Sequence, residues 1–170
     1  MTTIEVFFDY TCPYCQWGLN HLRELLPRYP KIQVDWKPVE AHPRLEEPWH
    51  RPYADLAVQG AFFVKALKGD EAAYHERILR AFFEEHRSVE DIGVLTACAE
   101  ELGLPAKEFR DALEKGVFAR AQRDANEYAY GPKKVWAVPT LICREKRLDA
   151  VLNVGITKAQ IQKLLENCHG

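Results

Sequence analysis

Two thiols separated by two residues stand near the start of the chain, in Cys12-Pro13-Tyr14-Cys15. A pair at this spacing either cycles between dithiol and disulfide or supplies half of a zinc site. Zinc takes four ligands, commonly completed by a second Cys-x-x-Cys or a histidine pair. The chain has no second Cys-x-x-Cys, and no two of its six histidines stand at a compelling metal spacing. Redox chemistry is therefore the stronger reading, and no metal ligand is assigned.

The flanking residues say how the pair is held. Ile4-Glu5-Val6-Phe7-Phe8 is short, β-branched and aromatic, and predicts a buried strand. Asp9-Tyr10-Thr11 makes a turn. Trp17, Leu19, Leu22, Leu25 and Leu26 then recur at helical spacing up to Pro27. Pro13 suits the first helical position, where its missing N–H costs nothing. Cys12 thus falls at the N-cap, facing unpaired N–H groups and a partial positive charge. A thiolate there is stabilised. Cys15, one turn deeper, is placed to resolve a mixed disulfide.

Ile32 to Val39 alternates in polarity and predicts a second strand, ended or placed at an edge by Pro38. A strand, helix and strand in this order give a parallel pair with a right-handed crossover. His42-Pro43, Glu47-Pro48 and Arg51-Pro52 mark a loop. Five helical patterns follow. They begin near Pro52, Asp70, Ser88, Pro105 and Phe118, with Asp91 completing a capping-box-like start to the third. Strand character returns in Trp136 to Cys143, interrupted by Pro139. A charged turn at Arg144 to Arg147 leads to a strand at Ala150 to Val154. Thr157 and Gln160 form a capping box for a last helix carrying Ile161, Leu164, Leu165 and Cys168 on its inner face.

Composition narrows the function classes. In 170 residues, 47% are hydrophobic and 28% charged, with a formal net charge of −2, which excludes a strongly basic nucleic-acid binder. No apolar run approaches the roughly 18 residues of a membrane span. The N-terminus has no features of a signal peptide, so a cytoplasmic location is expected. Five cysteines is an odd number, and structural disulfides are not expected in that compartment. Cys98, Cys143 and Cys168 therefore read as buried thiols. His21 reads as solvated or capping, and His75 and His86 as ordinary helix-face residues. His42 and His50 flank the proline-rich loop and are candidates to line a groove. Lys133 and Lys134 are candidates to attract carboxylates.

Taken together, Phe8-Asp9-Tyr10-Thr11-Cys12-Pro13-Tyr14-Cys15, Val34-Asp35-Trp36-Lys37-Pro38 and Val138-Pro139-Thr140 carry a resemblance over the whole chain. The sequence resembles the DsbA family of the thioredoxin-like superfamily, nearest its cytosolic branch of FrnE-like oxidoreductases and 2-hydroxychromene-2-carboxylate isomerases. The resemblance implies an α/β thioredoxin-like fold with an inserted all-helical subdomain. Residues 1–48 and 132–170 would form the thioredoxin-like domain and 49–131 the insertion, with a groove between them. It implies a cis peptide bond before Pro139 and a thiol–disulfide oxidoreductase with Cys12 and Cys15 as catalytic residues. Pro13, Tyr14, Trp136, Val138 and Pro139 would contact substrate, the backbone of Val138 pairing with an extended peptide or glutathione. The expected partners are a disulfide-bearing protein or glutathione, with neither nucleic acid nor membrane. No bound cofactor is expected, and glutathione is the candidate co-substrate.

The chain departs from the family pattern where a buried acid often precedes the first cysteine by six residues. That position is Val6, leaving Asp9 or Glu40 to take the Cys15 proton. The isomerase relatives carry serine at the position of Cys12 and lack the second thiol. A glutathione-dependent isomerase or transferase therefore stands as the alternative, and a non-enzymatic thiol module holding metal or a partner chain as the third.

Overall fold

The computed structural model describes residues 1–169. A four-stranded sheet has the order β2-β1-β3-β4, from β1 (Thr2–Phe8), β2 (Ile32–Pro38), β3 (Thr140–Cys143) and β4 (Lys146–Asp149). The β1–β2 pair is parallel, with Ile4 opposite Val34. The pairs β1–β3 and β3–β4 are antiparallel. Helix α1 (Pro13–Leu25) makes the crossover between β1 and β2. Pro38 ends β2 on the edge of the sheet, where its missing N–H breaks no ladder.

Side-chain alternation along β1 separates two packing faces. Ile4, Val6 and Phe8 enter the main core with Leu19, Leu22 and Leu25 of α1 and Ile161 and Leu165 of α7 (Lys158–His169). Phe7 points the other way, into a smaller cluster with Val39, Ala129 and Val135. Glu5 shares that second face, where Lys133 pairs with it at 2.6 Å. Lys133 is thus engaged by Glu5 while its side chain stays partly exposed.

Between β2 and β3 lie α2 (Asp55–Ala66), α3 (Glu71–Phe83), α4 (Ile92–Glu101), α5 (Ala106–Glu114) and α6 (Ala119–Tyr130). Asp70 caps α3 by accepting from the Ala73 N–H. The third helical pattern starts later than its Ser88 signal. Asp91 is itself the N-cap of α4, with its carboxylate accepting from the N–H groups of Gly93 and Val94. Glu90 N–H instead bonds the Ser88 hydroxyl, in a turn ahead of the helix. The Thr157–Gln160 box forms in both directions, at 2.8 and 3.1 Å. Among the described residues, no helix is long and apolar enough to cross a membrane.

Three expectations fail in the C-terminal part. The strand begins at Thr140, so Trp136 to Val138 form a loop rather than its first half. The strand expected at Ala150 to Val154 lies four residues earlier, at Lys146–Asp149. Charged residues occupy the last strand because β4 is an edge, and Lys146 and Arg147 lean into solvent. Val151, Leu152 and Val154 sit in an exposed turn closed by Val151 N–H on Gly155 O. The third failure concerns Cys143 and Cys168, which are joined as a disulfide. Packing of α7 brings their Cα atoms to 6.2 Å, within disulfide reach, although 25 residues separate them in sequence.

His75 is also more than a helix-face residue. It is buried against Phe8, Tyr10 and Trp36, and its Nδ1 lies 2.6 Å from the Tyr10 hydroxyl. Burial pushes its imidazole down to about 3, which keeps the ring neutral.

Candidate active site

Cys12 has extended backbone dihedrals (φ −92°, ψ 118°) and is the N-cap of α1, with Pro13 in the first turn. Its carbonyl accepts from the N–H groups of Cys15 and Gln16. Its sulfur is half-buried and stands 3.7 Å from the Val138 carbonyl oxygen. Cys15 is fully buried beneath it, and the Asp9 N–H points at the Cys15 sulfur at 3.4 Å. The two thiols are thereby made unlike. The Cys15 thiol, bonding to the Cys12 sulfur, holds Cys12 below the usual thiol range, and the amides of Cys15 and Tyr14 add to this. Burial pushes Cys15 well above that range, reinforced by its bond to Cys12. The arrangement offers a reachable thiol of lowered pKa over a hidden thiol of raised pKa.

The loop before β3 closes the other side. The Val138–Pro139 peptide bond is cis. Thr140 bonds back to the Ala137 carbonyl at 2.7 Å, and Ala150 N–H donates to Pro139 O at 3.0 Å. Gly18 lets α1 approach this loop, since a Cβ at that position would lie 3.0 Å from Pro139 Cγ and 3.3 Å from Ile156 Cδ1. Gly18→Val should therefore push the Pro139 loop away from Cys12. A misplacement of about 1 Å can cost 10²-fold, so kcat/KM for disulfide exchange is expected to fall by roughly 10- to 100-fold. The thermal melt distinguishes this from unfolding.

A cavity of about 360 Å³ opens at Cys12. Its walls include Pro13 and Tyr14 on one side, Trp136 and Val138 on another, and His42 and His50 on a third. His50, Arg51 and Pro52, from the segment ahead of α2, line it together with the start of α1 and the loops at 136–138 and 150–153, and no residue of α2–α6 reaches it. Trp136 is exposed, with the Arg147 guanidinium over its ring at 4.9 Å. Leu152 and Val151 add exposed apolar surface to the same walls. That surface comes from the segment read in sequence as a strand, and only the fold brings it to Cys12.

Two acids stand nearby, with different surroundings. The Asp9 carboxylate is buried and accepts from Thr11 N–H, the Thr11 hydroxyl and Ala41 N–H, each at 2.7 Å. Burial raises its pKa against those three bonds. Glu40 instead faces a separate cavity of about 590 Å³ beside α6. Its carboxylate accepts from Gln122 at 2.5 Å and Asn126 at 3.0 Å. Of the two candidates for the Cys15 proton, Asp9 belongs to the residue that touches Cys15. The side chains that bond the Glu40 carboxylate, Gln122 and Asn126, lie on α6.

Burial also carries the Glu40 carboxyl from 4.5 up to about 7. In the window from pH 4.5 to 7 the folded protein binds the proton more tightly than the unfolded chain. Stability from this group is therefore full below pH 4.5 and lost as pH rises through 7. Glu40→Gln removes that loss. Relative to wild type, the variant should gain stability from pH 4.5 to 8, by at most about 3.5 kcal/mol at about 1.4 kcal/mol per unit. Denaturant melts across this range check it, and a pH-independent difference would reject the account.

Comparison with known proteins agrees with this fold. The model of the DSBA-like thioredoxin domain family matches residues 3–155. The chain is 32% identical over 173 residues to uncharacterized protein YwbO of Bacillus subtilis (strain 168), covering 82% of this chain and 85% of that protein. In fold it is similar to a probable DsbA oxidoreductase, SCO1869, from Streptomyces coelicolor (TM-score 0.83, 17% identity, 99% of this chain and 90% of that chain). It is likewise similar to the cytosolic disulfide reductase DsbM from Pseudomonas aeruginosa with GSH (TM-score 0.72, 18% identity, 97% and 98%). With nine-tenths of its length matched by the family model, the chain belongs to the DSBA-like thioredoxin domain family.

Proposed function

We propose that this protein is a thiol–disulfide oxidoreductase that exchanges disulfides through Cys12 and Cys15. The observation that carries this reading is the opposed pair of thiols, Cys12 lowered and reachable, Cys15 raised and hidden. In the reducing direction the Cys12 thiolate attacks one sulfur of a substrate disulfide and expels the other as a thiolate. Cys15 then gives up its proton and attacks the Cys12 sulfur, releasing the second substrate thiolate. Two electrons have passed to the substrate, and Cys12–Cys15 is oxidised. The reverse sequence donates a disulfide. Asp9 is the acid best placed to influence the Cys15 proton, since its own N–H meets that sulfur.

The Val138 carbonyl beside Cys12 suits an extended peptide or glutathione backbone. Trp136, Val151 and Leu152 offer apolar contact for a disulfide-bearing protein. A glutathione-containing relative of the same fold supports glutathione as co-substrate or reductant. Retention of both thiols favours dithiol exchange over a glutathione-dependent isomerase.

The test is equilibration in glutathione redox buffers with mass-spectrometric readout. An intramolecular Cys12–Cys15 disulfide is expected, and a potential near −200 mV or lower would mark a reductase. A value near −120 mV would make the protein an oxidant. Failure to form the disulfide at any ratio would overturn dithiol exchange.

A further inference from the structure

We propose that His42, Glu47 and His50 form a binding site for a divalent cation of the zinc class, at the wall of the cavity that holds Cys12. In sequence these residues have no metal spacing; the proline-rich loop assembles them. His42 Nδ1 lies 2.8 Å from Glu47 Oε2, and His50 Nδ1 lies 3.9 Å from the same oxygen. One ligand atom from each of the three falls within 4.8 Å of the others. Ligands about 2.1 Å from a tetrahedral zinc stand roughly 3.4 Å apart, so these spacings bracket what the ion needs. Two histidines and a glutamate form a donor set used by catalytic zinc sites, which keep a further position open.

The loop holds this arrangement through its own backbone. Glu46 N–H and Glu47 N–H both donate to the Pro43 carbonyl, at 3.0 and 2.7 Å. His50 N–H and the Tyr53 hydroxyl both donate to the Glu47 carbonyl, each at 3.1 Å. The two imidazole rings stack with centroids 3.4 Å apart and planes 19° from parallel. A shared cation would sit between the two nitrogens and the carboxylate oxygen once one exposed ring turns out of the stack so that both nitrogens aim at it. The neighbouring guanidiniums are drawn elsewhere, Arg44 to Asp55 at 2.8 Å and Arg51 to Glu90 at 2.9 Å, so neither cancels the charge of Glu47. All three ligand side chains are 39–49% exposed, and the ion can enter without any opening of the fold. His42 and His50 line the cavity that also holds Cys12, so the ion and the reactive thiol would face the same space.

This site does not rest on the exchange chemistry, and its test removes the thiols. The full chain carrying Cys12→Ser and Cys15→Ser is titrated calorimetrically with Zn²⁺ alone. One equivalent is expected to bind. Glu47→Gln, His42→Asn and His50→Asn, each added to that background, should weaken binding by tenfold or more. Circular dichroism melts without metal confirm that each variant folds, which the exposed loop position favours. Absence of binding, binding indifferent to all three substitutions, or binding seen only when Cys12 and Cys15 are intact would overturn the proposal.

Discussion

Cys12→Ala is expected to lower disulfide exchange to the uncatalysed rate, a loss of roughly 10³-fold or more, while Cys15→Ala accumulates a mixed disulfide on Cys12. No other sulfur can stand in for Cys12. Cys15 and Cys98 are both fully buried, and burial raises both thiols, so each carries little thiolate and meets no substrate. Cys143 and Cys168 are bonded to each other. The first attack thus depends on one atom, the half-buried Cys12 sulfur at the end of α1. Resolution depends on the atom beneath it. Without Cys15, the mixed disulfide can be cleared only by a thiol from solution. Intact-mass spectrometry after addition of oxidised glutathione reads both outcomes. Full activity in Cys12→Ala would sink the nucleophile assignment. Undiminished turnover in Cys15→Ala would point instead to single-thiol, glutathione-dependent chemistry.

The removal of Cys15 has a second consequence at Cys12. The largest influence lowering the Cys12 thiol is the hydrogen bond from Cys15. In Cys15→Ala that bond is gone and only the amides of the helix start remain. The Cys12 pKa in the variant should rise relative to wild type, which an iodoacetamide rate profile against pH measures. The trapped intermediate should therefore form more slowly below the Cys12 pKa.

The parts of this site that were legible in the sequence are those set by neighbours along the chain. Strand β1, the turn at Asp9 and Pro13 at the start of α1 are local signals, and they place Cys12 and Cys15 with no knowledge of the rest. The Thr157–Gln160 cap is legible for the same reason. What was missed is set by contacts across the fold. The sequence suggested a strand at 150–154, but pairing with β3 selects the charged Lys146–Asp149, with Thr140 opposite Asp149. The apolar residues displaced from that strand become the exposed wall beside Cys12. The Cys143–Cys168 bond follows from the docking of α7, which no cysteine count encodes. The His42, Glu47 and His50 cluster depends on successive turns within a loop whose prolines announced only irregularity. His75 lies at a helix position that the sequence marks as unremarkable, and only its stacking with Phe8, Tyr10 and Trp36 reveals it as core.

Gly60→Ala is expected to destabilise the protein by about 3 kcal/mol or more, and the cost should fall when Tyr74 loses its hydroxyl. Gly60 lies on the buried face of α2, where an exposed Gly→Ala change would normally help by up to about 1 kcal/mol. Here a Cβ would run into the Tyr74 hydroxyl and come within 2.9 Å of Phe109 Cζ and 3.0 Å of Tyr74 Cζ. That hydroxyl donates to the Ala57 carbonyl at 2.8 Å, one turn earlier in the same helix. The added methyl therefore does two things. It overpacks the junction of α2, α3 and α5, which costs about 1–3 kcal/mol. It also drives the Tyr74 hydroxyl off a buried acceptor, at about 1–3 kcal/mol more. Tyr74→Phe alone loses the hydrogen bond but keeps the ring in the core. In the double variant the methyl meets no oxygen, and the clash that remains is with ring carbons. The two changes should consequently be non-additive, with the double variant more stable than the sum of the single losses by about 1 kcal/mol or more. Chemical denaturation of the four proteins measures the cycle. Strict additivity would mean that the hydroxyl moves aside at no cost, and the close approach of α2 to α3 would then not depend on the absence of a side chain at Gly60.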